Sequence, residues 1–554
     1  MDGQACEKKL SPRKPEQGKS WETAYACAKE GLVYLAVFLL TCLLFLCFKP
    51  LAGLYRVGVF AKAFIAVALT GAGVFIAYMG ATKRLKTRHI LLLLLAVGYA
   101  IRVGYMLYTP AATRQHDTYS KNFNGHEAYA WTLFQTGKLP TTNDYQFYHP
   151  PLNAMVQALF MRVVDGLTAS ASEDFFTLFA YGKPDYVDVQ RYFLYSTCQI
   201  LAVFYSFVTS VTLLKIVRLF GFTEKTNLLL SVFLVLFPRH IQFAGMLNND
   251  SISYMTATLA LYYALKWWKG RKSFAYILLC GLAVGLGMMA KLSSATVCLP
   301  IAGIFIYEFI RTLLKKNGAL KLWQMVLQYG TFLCICAPIG LWFQVYAGIR
   351  FDQPLGFVFS NLNKKLYTGH HSLWGRFGIT FDLSEYFGSL YCRPFSANYN
   401  LFNYALRSSI FGEFVYSQGD SWGAVAVLFA YMGVAFLIIG GIWSVILWWK
   451  SRKDETSVFR TKPPVSHQDL LFTLLLIASQ VLSEIYFYAK MPYGCTMDFR
   501  YIMPLILGLA LAVGTIQKVL IATGGERGYK FAVALYTAVG AFLVSSTLFY
   551  TVCG

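Results

Sequence analysis

Short polar clusters border the apolar runs of this chain, and they hold the side chains best able to do chemistry. The first is Arg114-Gln115-His116-Asp117, followed by Asn124-Gly125-His126-Glu127. A carboxylate just beyond an apolar run can lie partly buried at a membrane surface, where loss of water raises its proton affinity and suits general-base work. A solvated loop acid is the plainer alternative. The second cluster is Tyr145-Gln146-Phe147-Tyr148-His149-Pro150-Pro151. Pro150 holds His149 extended, and Pro151 can open a following helix. An imidazole there can bind a hydroxyl or move a proton, or simply satisfy nearby backbone.

Three further clusters carry cations. Phe237-Pro238-Arg239-His240 precedes Asn248-Asn249-Asp250-Ser251. Asp250 and Ser251 read either as a helix cap or as part of a site that includes Arg239. Lys291 stands between two apolar runs in Ala290-Lys291-Leu292. A cation at that depth is costly unless it reaches water or meets an anion. Asp498-Phe499-Arg500-Tyr501-Ile502-Met503-Pro504 opens another run, and a guanidinium grips phosphate with a planar fork. Arg102, inside the third run, is expected to extend its head to the outer surface. No nucleotide-binding glycine loop, HExxH or GxSxG occurs. No CxxC pair occurs among the 12 cysteines, so no zinc site or disulfide framework is indicated. Cys392 and Cys495 both fall in expected external loops, where they could pair.

The elements that position these clusters are membrane helices. Of the 554 residues, 56% are hydrophobic and 14% charged, against about 25% charged in soluble domains. Apolar runs lie at 31–48, 58–80, 89–108, 191–214, 228–238, 251–268, 274–290, 293–310, 323–346, 422–449, 469–488, 501–518 and 531–549. With about 20 residues needed per crossing, they predict an all-α polytopic membrane protein of roughly 13 transmembrane helices. With the amino terminus in the cytoplasm, cytoplasmic segments hold 29 Lys and Arg and short outward loops hold 7. That asymmetry sets the orientation and explains the net charge of +22 without a nucleic-acid partner. Two long segments, 109–190 and 347–421, then face outward. Stretches at 127–135 and 153–164 have the pattern of amphipathic helices lying along the interface.

The order of short motifs resembles the GT-C superfamily. They are Gln115-His116-Asp117, Gly137-Lys138-Leu139-Pro140, Tyr148-His149-Pro150-Pro151, Phe237-Pro238, Asn249-Asp250, Ala290-Lys291 and Phe499-Arg500-Tyr501-Ile502-Met503-Pro504. The chain is most similar to family-39-like enzymes, the protein O-mannosyltransferases and the lipid A aminoarabinose transferase. The resemblance spans 89–515, the expected catalytic core with its two outward loops. It leaves 1–30 as a cytoplasmic tail, 31–88 as two extra transmembrane helices, and 516–554 as a cytoplasmic loop with a last transmembrane helix.

The resemblance implies transfer of a sugar from a polyprenyl-phosphate carrier to a glycan, lipid or protein acceptor on the non-cytoplasmic face, among membrane lipids. It implies that Asp117 is the base in an inverting single displacement. Arg500, Lys291 and Arg239 would bind the donor phosphate. His116, His126, Glu127, His149 and Asp250 are the candidates to bind acceptor or sugar. The phosphate is a good leaving group, so no cofactor is required, and no dense carboxylate cluster marks a metal site. The chain departs from the relatives in its two extra leading helices, in His116-Asp117 where the protein mannosyltransferases have Asp-Glu, and in having no large soluble carboxy-terminal domain. Its compactness and the absence of a retention signal favour a bacterial plasma membrane over the endoplasmic reticulum. A lipid or solute transporter or flippase is the alternative. It fits many spans but not the gathering of polar groups on one side, since transporters bind near the midplane. An O-antigen-type polymerase or ligase would also act on a lipid-linked sugar, but lacks this motif order.

The orientation is open to direct test. Lys138→Cys should react with an impermeant thiol reagent added outside intact cells, and Lys453→Cys should not. Equal labelling of the two overturns the topology.

Overall fold

A computed structural model describes residues 19–51, 79, 86–112, 117–314, 320–356, 366–379, 399–412, 421–453 and 464–552. Nearly all of the expected span at 58–80 lies outside the described residues, as do Arg114, His116, Cys392 and about half of the second long outward segment. The described chain is helical, with one isolated bridge between Tyr367 and Tyr493. Besides two single-turn helices at Glu173–Thr177 and Leu373–Phe377, the α-helices in chain order are α1 (Lys19–Phe48), α2 (Thr87–Tyr108), α3 (His126–Thr136), α4 (Leu152–Leu167), α5 (Val189–Thr197), α6 (Gln199–Arg218), α7 (Glu224–Leu236) and α8 (Pro238–Gln242). They continue with α9 (Asp250–Lys269), α10 (Phe274–Ala290), α11 (Cys298–Leu313), α12 (Leu322–Phe351), α13 (Leu401–Phe411), α14 (Ser421–Lys453), α15 (His467–Lys490), α16 (Leu505–Thr523) and α17 (Gly525–Val552).

Among the described residues, nine helical stretches are long and apolar enough to cross a bilayer, or ten if the bent pair at 224–245 is one span. The larger count expected from the sequence has three sources besides that pair. The run at 58–80 is outside the described residues. Helix α10 has only 17 residues, short for a ~30 Å core. Helix α9 carries Asp250, Lys266 and Lys269 with several Ser and Thr, which lowers its mean hydropathy. The main core joins α7, α9, α10, α11, α15, α16 and α17 through residues such as Leu234, Leu265, Trp267, Ile277, Ile304, Leu476 and Leu511, all fully buried.

Pro238 breaks α7 from α8 with a 49° bend, because proline offers no amide hydrogen to the carbonyl one turn earlier. The carbonyls released by the break find side-chain partners. His240 Nδ1 lies 3.0 Å from Leu234 O, and Arg102 Nη2 donates to Val235 O at 2.9 Å. Arg102 also donates to Ser206 Oγ at 2.7 Å and Gly98 O at 2.9 Å. Arg102 therefore does not reach the surface as expected. It is 1% exposed, held inside the bundle because the bend supplies a backbone acceptor that would otherwise be unsatisfied in an apolar medium.

Ion pairs sort the helix ends into two sets. At one end Lys215 pairs with Glu30, Lys269 with Asp469, and Lys272 with Glu308. At the other end Arg239 pairs with Asp498 and Lys291 with Asp250. Each set joins residues that the alternation of spans places on one side. The first long loop folds at the second end as α3 and α4. Helix α4 buries Ala154, Ala158 and Met161 and leaves Met155, Leu159, Val163 and Leu167 exposed at a four-residue spacing, which is the pattern of a helix lying on a membrane surface.

Candidate active site

Asp117 is fixed by backbone before its side chain is considered. Gly125 precedes α3, and a Cβ there would fall 2.5 Å from Thr118 O and 3.0 Å from Asp117 O. Only glycine permits this approach. It lets the His126 amide donate to Asp117 O at 3.0 Å and the Glu127 amide to Thr118 O at 2.9 Å. The helix start thus holds Asp117 by its main chain. His126 Nε2 stands 3.5 Å from Asp117 Oδ2, and the carboxyl is 19% exposed. Its Oδ1 has no hydrogen-bond partner among the described residues. Burial opposes charge on Asp117, but His126 and then Arg500 outweigh it and hold the carboxyl well below the usual carboxylate range. The site therefore presents an ionised acid whose Oδ1 is unclaimed among the described residues.

His149 stacks on His126 with ring centres 5.5 Å apart. It follows a 3-10 turn over Tyr145–Tyr148, and its carbonyl accepts from Tyr129 Oη at 3.2 Å. Burial first, then His126 and Lys291, push the imidazole well below its usual range, so it is neutral at pH 7. The two histidines and Asp117 form one edge of the site.

The other edge is cationic. Lys291 leaves the end of α10 in extended backbone, before a 3-10 turn over Leu292–Val297. Its ammonium pairs with Asp250 and lies 4.6 Å from the centre of the Tyr501 ring. Arg500 Nε is 3.8 Å from Asp250 Oδ2. Asp250 begins α9, but its carboxylate does not cap that helix; Asn249 stands at the cap position without a side-chain bond. The cap role is displaced because two cations offer the acid a stronger partner than an amide. A cavity of about 20 Å³, enough for one water, is lined by Asp250, Ser253, Ser294, Thr296, Arg500 and Tyr501. Asp250 Oδ2 and Ser294 Oγ lack hydrogen bonds there.

Two sequence candidates are drawn elsewhere. Glu127 is clamped by both nitrogens of the Arg191 fork, itself covered by Phe123 and Trp131. Arg239 grips Asp498 at 2.7 and 2.8 Å and Gln242 at 2.7 Å, with both ions at 1% exposure or less. Asp498 Oδ1 also accepts the Arg500 amide at 2.8 Å. Arg239 thus reaches the cationic edge through Asp498 and the Arg500 backbone. His116 lies outside the described residues.

Glu484 escaped notice in the sequence. It is 3% exposed on α15, lies within electrostatic reach of Asp498 and Lys291, and its Oε1 is without a partner. The signal was available, since an acid inside an apolar run is costly and marks a site by default. Among the described residues no group of three or more His, Cys, Asp or Glu is arranged to hold a metal ion.

Residues 196–342 match the family model described as dolichyl-phosphate-mannose-protein mannosyltransferase. This supports membership of the GT-C superfamily of membrane glycosyltransferases. The matched stretch includes Arg239, Asp250 and Lys291 and leaves out Asp117 and Arg500, which join them in space. No curated protein matches the chain.

The buried Arg239–Asp498 pair has a measurable consequence. Arg239→Met leaves a carboxylate alone in the core and should cost about 3–5 kcal/mol of stability, read as a lowered unfolding midpoint in detergent. A midpoint equal to that of the parent would remove the pair from the structural framework.

Proposed function

We propose that this GT-C glycosyltransferase takes a sugar from a polyprenyl-phosphate carrier and passes it to a hydroxyl or amine acceptor on the non-cytoplasmic face of its membrane, by an inverting single displacement. The observation that carries this reading is the meeting of Asp117, Asp250, Lys291 and Arg500. They come from four separate segments, yet Arg500 is a source of charge for Asp117 and Asp250 alike. A base faces a pair of cations across a site at one end of a helix bundle. A lipid-borne phosphate can reach such a place from the bilayer, and an acceptor can reach it from water. A site facing outward is in keeping with the charge asymmetry of the chain, and a bacterial plasma membrane with its resemblance to compact bacterial members.

In this mechanism Lys291 and Arg500 receive the donor phosphate. Asp117 takes the acceptor proton as the acceptor atom bonds to the anomeric carbon. The bond from that carbon to the phosphate oxygen breaks on the opposite face, and its electron pair leaves with the phosphate. Cations placed beforehand where this charge gathers stabilise the transition state without reorganisation. The ionised state of Asp117 suits a base. A donor phosphate would take up part of the Arg500 field, and so raise the affinity of Asp117 for a proton at the moment it is needed. Asp250 keeps the two cations together, and His126 and the neutral His149 face the place of the sugar or acceptor hydroxyls.

A transporter reading differs in one product. Membranes holding the active protein and a polyprenyl-phosphate sugar should release free polyprenyl phosphate when acceptor is supplied, which transport alone cannot do. Asp117→Asn should lower turnover by about 10²–10⁴-fold and leave donor binding intact, and Asp250→Asn should lose less. If Asp117→Asn keeps the parent rate while Asp250→Asn is inactive, the base is Asp250.

The cationic edge is tested separately. Arg500→Ala and Lys291→Ala should each weaken donor use by about 2–4 kcal/mol, seen as a raised donor KM or a lowered kcat/KM. Arg500→Lys should recover only part, because a point charge lacks the fork. Unchanged donor kinetics in both alanine variants would leave these residues as interface anchors.

A further inference from the structure

The end of the bundle away from Asp117 holds a cavity of about 520 Å³. The placement of Lys and Arg assigns this end to the cytoplasm. The turn from α9 to α10 walls the cavity with Lys266, Lys269, Arg271, Ser273 and Tyr276, and Leu219 closes it from the end of α6. Three cations thus face one space, and no acid is among the described residues that line it. A membrane protein needs cations on its cytoplasmic side, but any exposed lysine meets that need. It does not require three of them to share a cavity.

Neighbouring cations at this end have their own acids. Lys215 pairs with Glu30, and Lys272 pairs with Glu308 at 3.3 Å and donates to Trp268 O at 2.7 Å. The cations of the cavity are in a different position. Lys269 pairs with Asp469 and donates to Leu219 O at 3.0 Å, with Lys518 of α16 within electrostatic reach. Lys266 Nζ lies 6.0 Å and 5.8 Å from the ring centres of Tyr262 and Tyr276. Among the described residues neither Lys266 nor Arg271 forms an ion pair. Lys266, Lys269, Arg271 and Lys518 therefore stand against the single acid Asp469. A cleft lined by charge of one sign focuses the field and draws in the opposite charge.

We propose that this cavity binds the phosphate headgroup of an anionic membrane lipid, at a site separate from that of the sugar donor. Its volume lies within the range of about 300–1,000 Å³ that small-molecule sites take. Two features favour a lipid over a free phosphate ester. The cations stand at helix ends, where a membrane protein meets the negative headgroups of the cytoplasmic leaflet. Tyr276 lines the cavity from α10, and Leu279 and Leu282 further along the same helix are exposed. An acyl chain can lie against α10 while its phosphate sits among the cations.

The experiment counts lipid bound to the full chain in detergent by native mass spectrometry. The chain is titrated with phosphatidylglycerol, with phosphatidylcholine of the same chain length, and with phosphatidylglycerol in the presence of inorganic phosphate. Phosphatidylglycerol should bind at least about fivefold more tightly than phosphatidylcholine, and inorganic phosphate should not displace it. Lys266→Gln and Arg271→Gln should each weaken that binding about fivefold, since one cation beside an anionic headgroup contributes about 1 kcal/mol. Lys225→Gln removes an exposed cation that does not line the cavity and should change the affinity by less than about twofold. Equal losses in Lys225→Gln and Lys266→Gln, or equal affinity for the two lipids, would reduce the effect to net charge and overturn the site. Displacement by inorganic phosphate would overturn the lipid assignment in favour of a free anion. If the glutamine variants do not fold, Ser273→Glu, at a helix start whose side chain caps nothing, puts an acid among the cations. Loss of bound phosphatidylglycerol from that variant supports the site, and retention at the parent affinity overturns it.

Discussion

A charge in hydrocarbon is costly unless it is paired or fully hydrogen-bonded, and Asp250 is where this protein pairs the charges of its site. Lys291 breaks the chain between α10 and a 3-10 turn, at a depth where a lone ammonium is unfavourable. Its partner is the first residue of α9, with Arg500 on the other side of the same carboxylate. Three distant segments are held in one place because none of the three charges is tolerable alone. The two cations flank that single carboxylate, and Asp117 stands as the opposing charge across the site.

A second buried pair sets the geometry of the first. Arg239 is carried by the short helix that starts at Pro238, and its grip on Asp498 fixes the turn whose next-but-one amide belongs to Arg500. The bend at Pro238 is itself stable only because Arg102 and His240 satisfy the carbonyls it releases. Proline, guanidinium and carboxylate thus form a chain of dependence that runs from the interior of the bundle to the cationic edge.

The outer loop solves a different problem, that of holding an acid still in partly aqueous surroundings. Gly125 permits the backbone contact, the Glu127–Arg191 clamp locks the start of α3 to α5, and the exposed stripe of α4 gives the loop a face for the membrane surface. Lys49 and Gln199 both donate to Thr109 O, where that loop begins. The two edges of the site are therefore built by different physics. The cationic edge is made by charge compensation at depth, and the basic edge by backbone hydrogen bonds and aromatic packing.

Much of this was legible in the residues. Apolar length predicts spans, the placement of Lys and Arg predicts their alternation, and polar clusters at one set of span ends predict a site there. Asp117, His126, His149, Asp250, Lys291 and Arg500 were all visible because charged or ionisable groups beside apolar runs are costly and so informative. What sequence spacing could not settle is which charges face each other. Glu127 and Arg239 have the same types as the residues that converge, and only packing shows that Arg191 and Asp498 claim them. Arg102 looked like a group reaching for water; the tertiary fold brings it the Val235 carbonyl instead, from a helix end far away in sequence. Glu484 was hidden in an apolar run until its neighbours across the bundle were known. Hydrophobicity is a property of each segment and can be read locally, whereas electrostatic partnership depends on distance, which belongs to the folded bundle alone.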